Sequence, residues 1–139
     1  PDGRTSVMYG PGGFAYVYLI YGMHCCMNVV SAPEGRPEAV LIRALEPVEG
    51  IELMRARRPK AKTDAALCSG PGKLCAALGI DRRCYGLDLL GGELYLTLGE
   101  PLSEERICVS PRVGVDYAGE DAAREWRFFE KDNPNVSGK

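Results

Sequence analysis

The chain has 139 residues, 45% of them apolar and 26% charged, with a formal net charge of −2. This is the composition of one globular domain large enough to bury a core. No apolar run is long enough to span a bilayer, and the near-neutral charge gives no composition-level argument for nucleic acid.

The chain opens with PDGRTSVMYG, which has no initiator Met, no basic leader and no apolar signal-like core. We expect from this a chain cut from something longer. Residues 14 to 20, FAYVYLI, are β-branched and aromatic and follow Pro11, Gly12 and Gly13, which predicts a strand. Residues 25 to 31, CCMNVVS, predict a second strand, with YGMH between them as a hairpin tip and Gly22 supplying the turn. APEGRPE, 32 to 38, reads as a loop and AVLIRAL, 39 to 45, as a third strand. VEGIELMRAR fits a short helix closed by Arg57, Arg58 and Pro59. LCSGPGKLCAALGI predicts another, with Ser69 as N-cap, Pro71 in the first turn and Gly79 as C-cap. Short strands are expected in GELYLTLG, RICVSPRVGV and WRFFEK. The expected fold is α+β: a single compact domain of hairpin-linked, mainly antiparallel strands with a few short helices.

Six cysteines, at 25, 26, 68, 75, 84 and 108, form no CxxC pair, and His24 is the only histidine. A structural metal is not expected from that spacing, and reduced, mostly buried thiols are. RARRPKAK, 55 to 62, carries five basic side chains and no acidic one. It reads either as a solvated helix end and loop or as a phosphate-contacting patch. GPGK, 70 to 73, is not a phosphate-binding P-loop, because Leu67 and Leu74 stand where that motif needs Gly and Ser or Thr. Amides at a helix start with Lys73 nearby can still hold a phosphate, and a plain capped helix fits equally well.

Two polar residues interrupt apolar strands. Arg43 inside AVLIRAL is costly unless it faces water, finds a partner or holds a ligand. Asn28 inside CCMNVV either ties down backbone or reads a polar substrate. By strand parity Cys26 and Asn28 share one face, as do Tyr16 and Tyr18, so an aromatic wall and an amide could line one pocket. Tyr21 at the tip would project outward.

Four blocks in order, YVYLIYGMHCCMNVV, VLIRALEPVEG, LCSGPGKLCAALGI and RVGVDYAGE, together resemble the alkyladenine (3-methyladenine) DNA glycosylase family. They spread from about Val7 to Phe128. The resemblance implies a monofunctional base-excision repair enzyme that flips alkylated or deaminated purines out of double-stranded DNA and hydrolyses their N-glycosidic bonds. It implies that Tyr21 wedges into the minor groove, that Tyr18 stacks on the extruded base, and that Asn28 obstructs the 2-amino group of normal guanine. It further implies that Arg43 and the Val113 carbonyl hold the nucleophilic water, and that Met23, His24 and Lys73 contact DNA. His24 stands where some members have Tyr. The family's general-base glutamate lies upstream of GRTSVMYG, so this chain, 1–139, is expected to be a glycosylase domain lacking its N-terminal portion. None of Glu34, Glu38 or Glu46 is assigned in its place. No cofactor and no membrane association are expected, and a monomeric, intracellular protein is. The alternatives are a catalytically silent module that binds damaged DNA and, with least support, a small-molecule hydrolase on the same fold.

Overall fold

A computed structural model describes residues 3–138. Strands β1 (Ala15–Ile20), β2 (His24–Val30) and β3 (Ala39–Leu41) form an antiparallel sheet in that order, and β4 (Ile107–Ser110) and β5 (Arg127–Glu130) pair as a second antiparallel ladder. The α-helices are α1 (Ile51–Arg57) and α2 (Pro71–Leu78), and 3₁₀ segments cover Gly3–Tyr9, Arg82–Cys84, Glu104–Arg106 and, with a kink at Gly119, Asp116–Ala123. The architecture is α+β, as the sequence predicts.

The two faces of the first hairpin have different fates because side chains alternate along a strand. Ala15, Val17 and Met27 point to one side and pack with Met54 of α1 and with Leu74, Cys75 and Ala77 of α2, closing over Leu67, Cys68, Ile80 and Leu89. Leu67, Leu74, Leu89, Val30, Cys68 and Cys75 are the largest fully buried side chains. Truncating Leu74 to Ala would cost about 2–5 kcal/mol, because so tight a site collapses poorly. The opposite face carries Tyr16, Tyr18, Cys26 and Asn28.

Helix α2 starts one residue later than its sequence suggests. Pro71 occupies its first position, which makes Gly70 the N-cap, and the Ser69 hydroxyl donates instead to the Ala66 carbonyl at 3.3 Å. Gly79 ends the helix at φ 70°, as expected of a C-cap glycine. The basic run 55–62 serves this packing. The Arg57 guanidinium donates to the Ala77 carbonyl at 3.0 Å, in the last turn of α2, where cations are favoured. Arg58 donates to the carbonyls of Ala66 and Leu67, and Arg55 pairs with Asp64. Arg57 and Arg58 thus tie down backbone within the fold, while the Arg55–Asp64 pair is a surface contact.

Three strand expectations are corrected. GELYLTLG forms no strand: Leu96 donates its N–H to the Leu89 carbonyl at 2.8 Å, no ladder follows, and Leu98 is fully exposed. The third strand ends at Leu41 because the chain leaves β2 after Ile42 bonds the Met27 carbonyl, and Leu45 then bonds the Cys68 carbonyl. The strand in RICVSPRVGV stops at Ser110, where Pro111 cannot donate to a ladder. All six cysteines are free thiols, and burial pushes that of Cys75 up to about 12. Among the described residues, no group of three His, Cys, Asp or Glu side chains could hold a metal ion. No helix among them is long and apolar enough to cross a membrane.

Candidate functional site

The hairpin register pairs Tyr16 with Asn28, Tyr18 with Cys26 and Ile20 with His24. Cross-strand partners share a face, so the phenol rings of Tyr16 and Tyr18 and the Asn28 amide stand together on the side away from the helical core. They line a cleft of about 550 Å³, completed by Arg4, Met8, Tyr21 and Tyr117.

Within it, Asn28 is buried, and its Nδ2 donates across the hairpin to the Tyr16 carbonyl at 3.2 Å. One of the two sequence alternatives is thus realised directly, since the amide ties down backbone. With Nδ2 anchored, the side-chain carbonyl is fixed in place on the cleft wall. The ring of Tyr18 lies 5.2 Å from that of Tyr16, tilted by 40°, and Tyr16 meets Tyr85 edge-on at 6.2 Å. Tyr16 is buried and acts as the support; Tyr18 is half-buried and presents its face. Burial, then the neighbouring Cys26 thiol, pushes the Tyr18 phenol up to about 12, so it is uncharged at neutral pH. The Arg4 guanidinium sits 5.4 Å from its ring centroid, which shows that this face accepts a cation.

The tip is strained. Tyr21 and Gly22 have φ of 53° and 68°, the positive pair of a type I′ turn, and the Met23 N–H closes it onto the Ile20 carbonyl at 3.3 Å. Glycine accepts that conformation freely, whereas a bulky L-residue there loses roughly 1–2 kcal/mol. Yet Tyr21 is 87% exposed and Met23 71%, so neither recovers the loss through burial. Strain of this kind, with no packing to reward it, is what functional constraints leave behind.

His24 sits at the foot of the tip against α2. A Cβ added to Gly72 would lie 3.2 Å from the His24 Cβ, so a side chain there would press hairpin and helix apart by a few tenths of an ångström. Lys73, the next residue, is exposed on the first turn of α2 beside that contact. Tyr21, Met23, His24 and Lys73 therefore belong to one end of the molecule.

Arg43 and Val113 lie together, but not on the cleft lining. Each flanks the C-terminal segment: a Cβ on Gly138 would fall 3.0 Å from the Arg43 Nη2 and 3.3 Å from a Val113 methyl. Arg127 holds the same segment from β5, donating to the Ser137 carbonyl at 2.5 Å and to Ser110 Oγ at 3.2 Å. Burial, then the like charge of Arg127, lowers the Arg43 pKa. Among the described residues, Arg43 Nε and Ser137 Oγ are both buried without a hydrogen-bond partner. Glu46 is engaged elsewhere, accepting from Asn135 Nδ2 at 3.5 Å. The sequence reading missed Arg4, Tyr117, Arg127 and Gly138. Only Arg127, an arginine within the apolar WRFFEK, carried a signal that could have found it.

The family model for methylpurine-DNA glycosylase matches residues 1–134. A protein of Methanocella arvoryzae is 53% identical over 135 residues, covering 96% of this chain and 66% of its own length. One of Carboxydothermus hydrogenoformans is 52% identical over 137 residues, covering 98% and 70%, and one of Bacillus cereus strain G9842 is 49% identical over 146 residues, covering 98% and 71%. All three are provisionally named 3-methyladenine DNA glycosylase. The chain spans about two thirds of the length of these curated relatives. It belongs to the methylpurine-DNA glycosylase family.

Proposed function

We propose that this chain is the lesion-gripping part of a monofunctional DNA glycosylase that excises alkylated or deaminated purines in base-excision repair. The observation that carries the reading is the cleft between Tyr18 and Asn28 placed directly behind a strained, exposed tyrosine tip. A purine inside a duplex is out of reach, so the enzyme must turn it out and fill the gap it leaves. Tyr21 is the wedge, with Met23 and His24 beside it in the minor groove and Lys73 on a phosphate. Tyr18 stacks on the extruded base, a contact that contributes about 1–3 kcal/mol and tolerates many damaged purines. Alkylation that leaves a positive charge strengthens the stack by cation–π attraction and makes the base a better leaving group. Asn28, anchored by its amide nitrogen, obstructs a purine carrying a 2-amino group.

Arg43 and the Val113 carbonyl orient a water that attacks the sugar C1′. The glycosidic bond breaks with its electron pair leaving on the purine nitrogen, and the water's proton passes to a carboxylate. That general base is a glutamate supplied by polypeptide outside these 139 residues. The protein acts as an intracellular monomer on double-stranded DNA containing damaged purines and needs no cofactor.

A second reading, a catalytically silent damage-binding module, has one observation in its favour: among the described residues no carboxylate lines the cleft. The two separate on base release. Full-length protein incubated with methylated duplex should liberate 3-methyladenine, while the 139-residue chain should bind the duplex weakly and liberate none. Lesion binding by the full-length protein with no release of any damaged purine would establish the silent module instead.

A further inference from the structure

We infer that Tyr85 is a positioning residue of the cleft. Its hydroxyl pins the 3₁₀ segment Gly3–Tyr9, and with it Arg4 and Met8, while its ring backs the tyrosine pair of the hairpin. The inference deepens the reading above and rests on it, since it takes the cleft as the seat of the extruded purine.

The segment is poorly held by itself. It runs for 7 residues, longer than 3₁₀ turns usually persist, and none of its side chains is fully buried. Yet Arg4 and Met8 line the cleft, and the Arg4 guanidinium lies 5.4 Å from the Tyr18 ring centroid. A distant group must fix that arrangement. The Tyr85 hydroxyl accepts the Val7 N–H at 3.2 Å and shares a hydrogen bond with Ser6 Oγ at 3.1 Å. Among the described residues, the one other hydrogen bond from the segment to a remote part of the chain joins the Gly35 N–H to the Tyr9 carbonyl at 2.7 Å. That bond sits at the end away from Arg4.

Tyr85 is itself a fixed post. It follows the turn Arg82–Cys84, which Asp81 caps by accepting the Arg83 N–H at 2.9 Å. Its own N–H donates to the Arg82 carbonyl at 3.1 Å. Just beyond it, the Gly86 N–H donates to the Ala15 carbonyl at 2.8 Å, and the Leu87 carbonyl accepts the Ala15 N–H at 2.9 Å. The residue is thereby clamped to the start of β1. Its ring meets that of Tyr16 edge-on, at 6.2 Å and 88°, and Tyr16 supports Tyr18.

One side chain therefore serves both walls of the cleft: the aromatic wall through its ring and the Arg4–Met8 wall through its oxygen. Phenylalanine would keep the first contact and forfeit the second. The slot in front of Tyr18 has its width set before a base arrives, which spares an incoming purine the cost of ordering the wall.

The test uses the full-length protein. Tyr85→Phe should speed amide exchange at Val7 at least about tenfold and leave Val17 and Met27 of the hairpin protected. Affinity for lesion-containing duplex should fall about fivefold, the scale of one lost hydrogen bond, while affinity for undamaged duplex holds. On an Arg4→Ala background the same substitution should cost less than about twofold, because the two changes act through one wall. Ser6→Ala, which spares Tyr85, should give the same pattern at smaller amplitude and replaces Tyr85→Phe if that variant folds poorly. Tyr95→Phe, which deletes an exposed phenol elsewhere, should change none of these. Unchanged Val7 exchange overturns the inference. So does a freed segment with full lesion affinity, and so does equal weakening of lesion and undamaged binding, which would make Tyr85 a general prop of the fold. A wild-type protein that binds no lesion refutes the glycosylase reading instead, and Val7 exchange alone then decides whether Tyr85 holds the segment.

Discussion

Gly138 and Arg43 are in close contact: a Cβ on the glycine would sit 3.0 Å from the arginine's Nη2, so the guanidinium would have to give by a few tenths of an ångström, on a backbone at φ +65° that itself strains any side chain. The C-terminal segment therefore sets where the guanidinium lies. Gly138→Ala should cost about 1–2 kcal/mol through the left-handed backbone alone and push Arg43 off its position. In the full-length protein the expected outcome is a fall in the single-turnover rate of base release by about tenfold or more, with lesion affinity nearly unchanged. Loss of affinity at an unchanged rate would move Arg43 from the water to the DNA.

Tyr21 gives a second expectation, of opposite sign for stability and binding. Tyr21→Gly removes an exposed ring from a positive-φ position, so the melting temperature should hold or rise, by up to about 1 kcal/mol of stability. Affinity for lesion-containing duplex, measured by fluorescence anisotropy, should fall at least about tenfold, and Tyr21→Ala should behave alike. A large drop in melting temperature with binding intact would make the tyrosine a packing residue.

Asn28 is the third. Asn28→Ala loses a buried bond to the Tyr16 carbonyl and should cost about 1 kcal/mol in chemical denaturation. Asn28→Asp should cost more, because a carboxylate has no proton to give that carbonyl and is desolvated beside it. In competition assays both variants should accept guanine-containing duplex more readily relative to 3-methyladenine. Unchanged discrimination would leave Asn28 a purely structural clamp.

The fourth concerns alkaline pH. The Tyr18 phenol is raised from 10.0 to about 12 chiefly by burial, and the Cys75 thiol from 9.0 to about 12 by the same cause. Each is an acid whose folded value lies above its unfolded value, so the unfolded chain loses the proton first. Their contribution is complete below pH 9.0 and fades as pH rises toward about 12. Denaturation midpoints should decline across that interval, and Tyr18→Phe should decline less steeply above pH 10.0. A parallel decline in wild type and variant would show that Tyr18 titrates normally.

The legible parts of the sequence were those where local chemistry and packing agree. Gly22 between two β-rich runs marked the hairpin, and strand parity put Tyr16 with Tyr18 and Asn28 with Cys26; only the register, Tyr16 opposite Asn28, brings both sets to one side. Pro71 and Gly79 bounded α2 to within a residue. GELYLTLG shows the opposite case: its alternation is strand-like, but a strand exists only where a neighbour's N–H and C=O groups are free to pair, and no partner strand among the described residues takes up Leu94 to Leu98. Arg43 stood out as a misplaced charge, yet its surroundings, Val113, Arg127 and Gly138, come from 70 to 95 residues further along. No local pattern encodes that convergence.

The I′ turn at Tyr21–Gly22 also bears on search. An enzyme hunting rare lesions presses its probe against very many sound base pairs for each damaged one. A floppy tip would lose conformational freedom at every trial, and that recurring entropy loss would slow each encounter. Here the turn is closed by the Met23 N–H and seated on α2 through His24 and Gly72. Its freedom was surrendered once, when the chain folded, so with Tyr21 as the proposed wedge each further test of the duplex would begin with the tip already shaped.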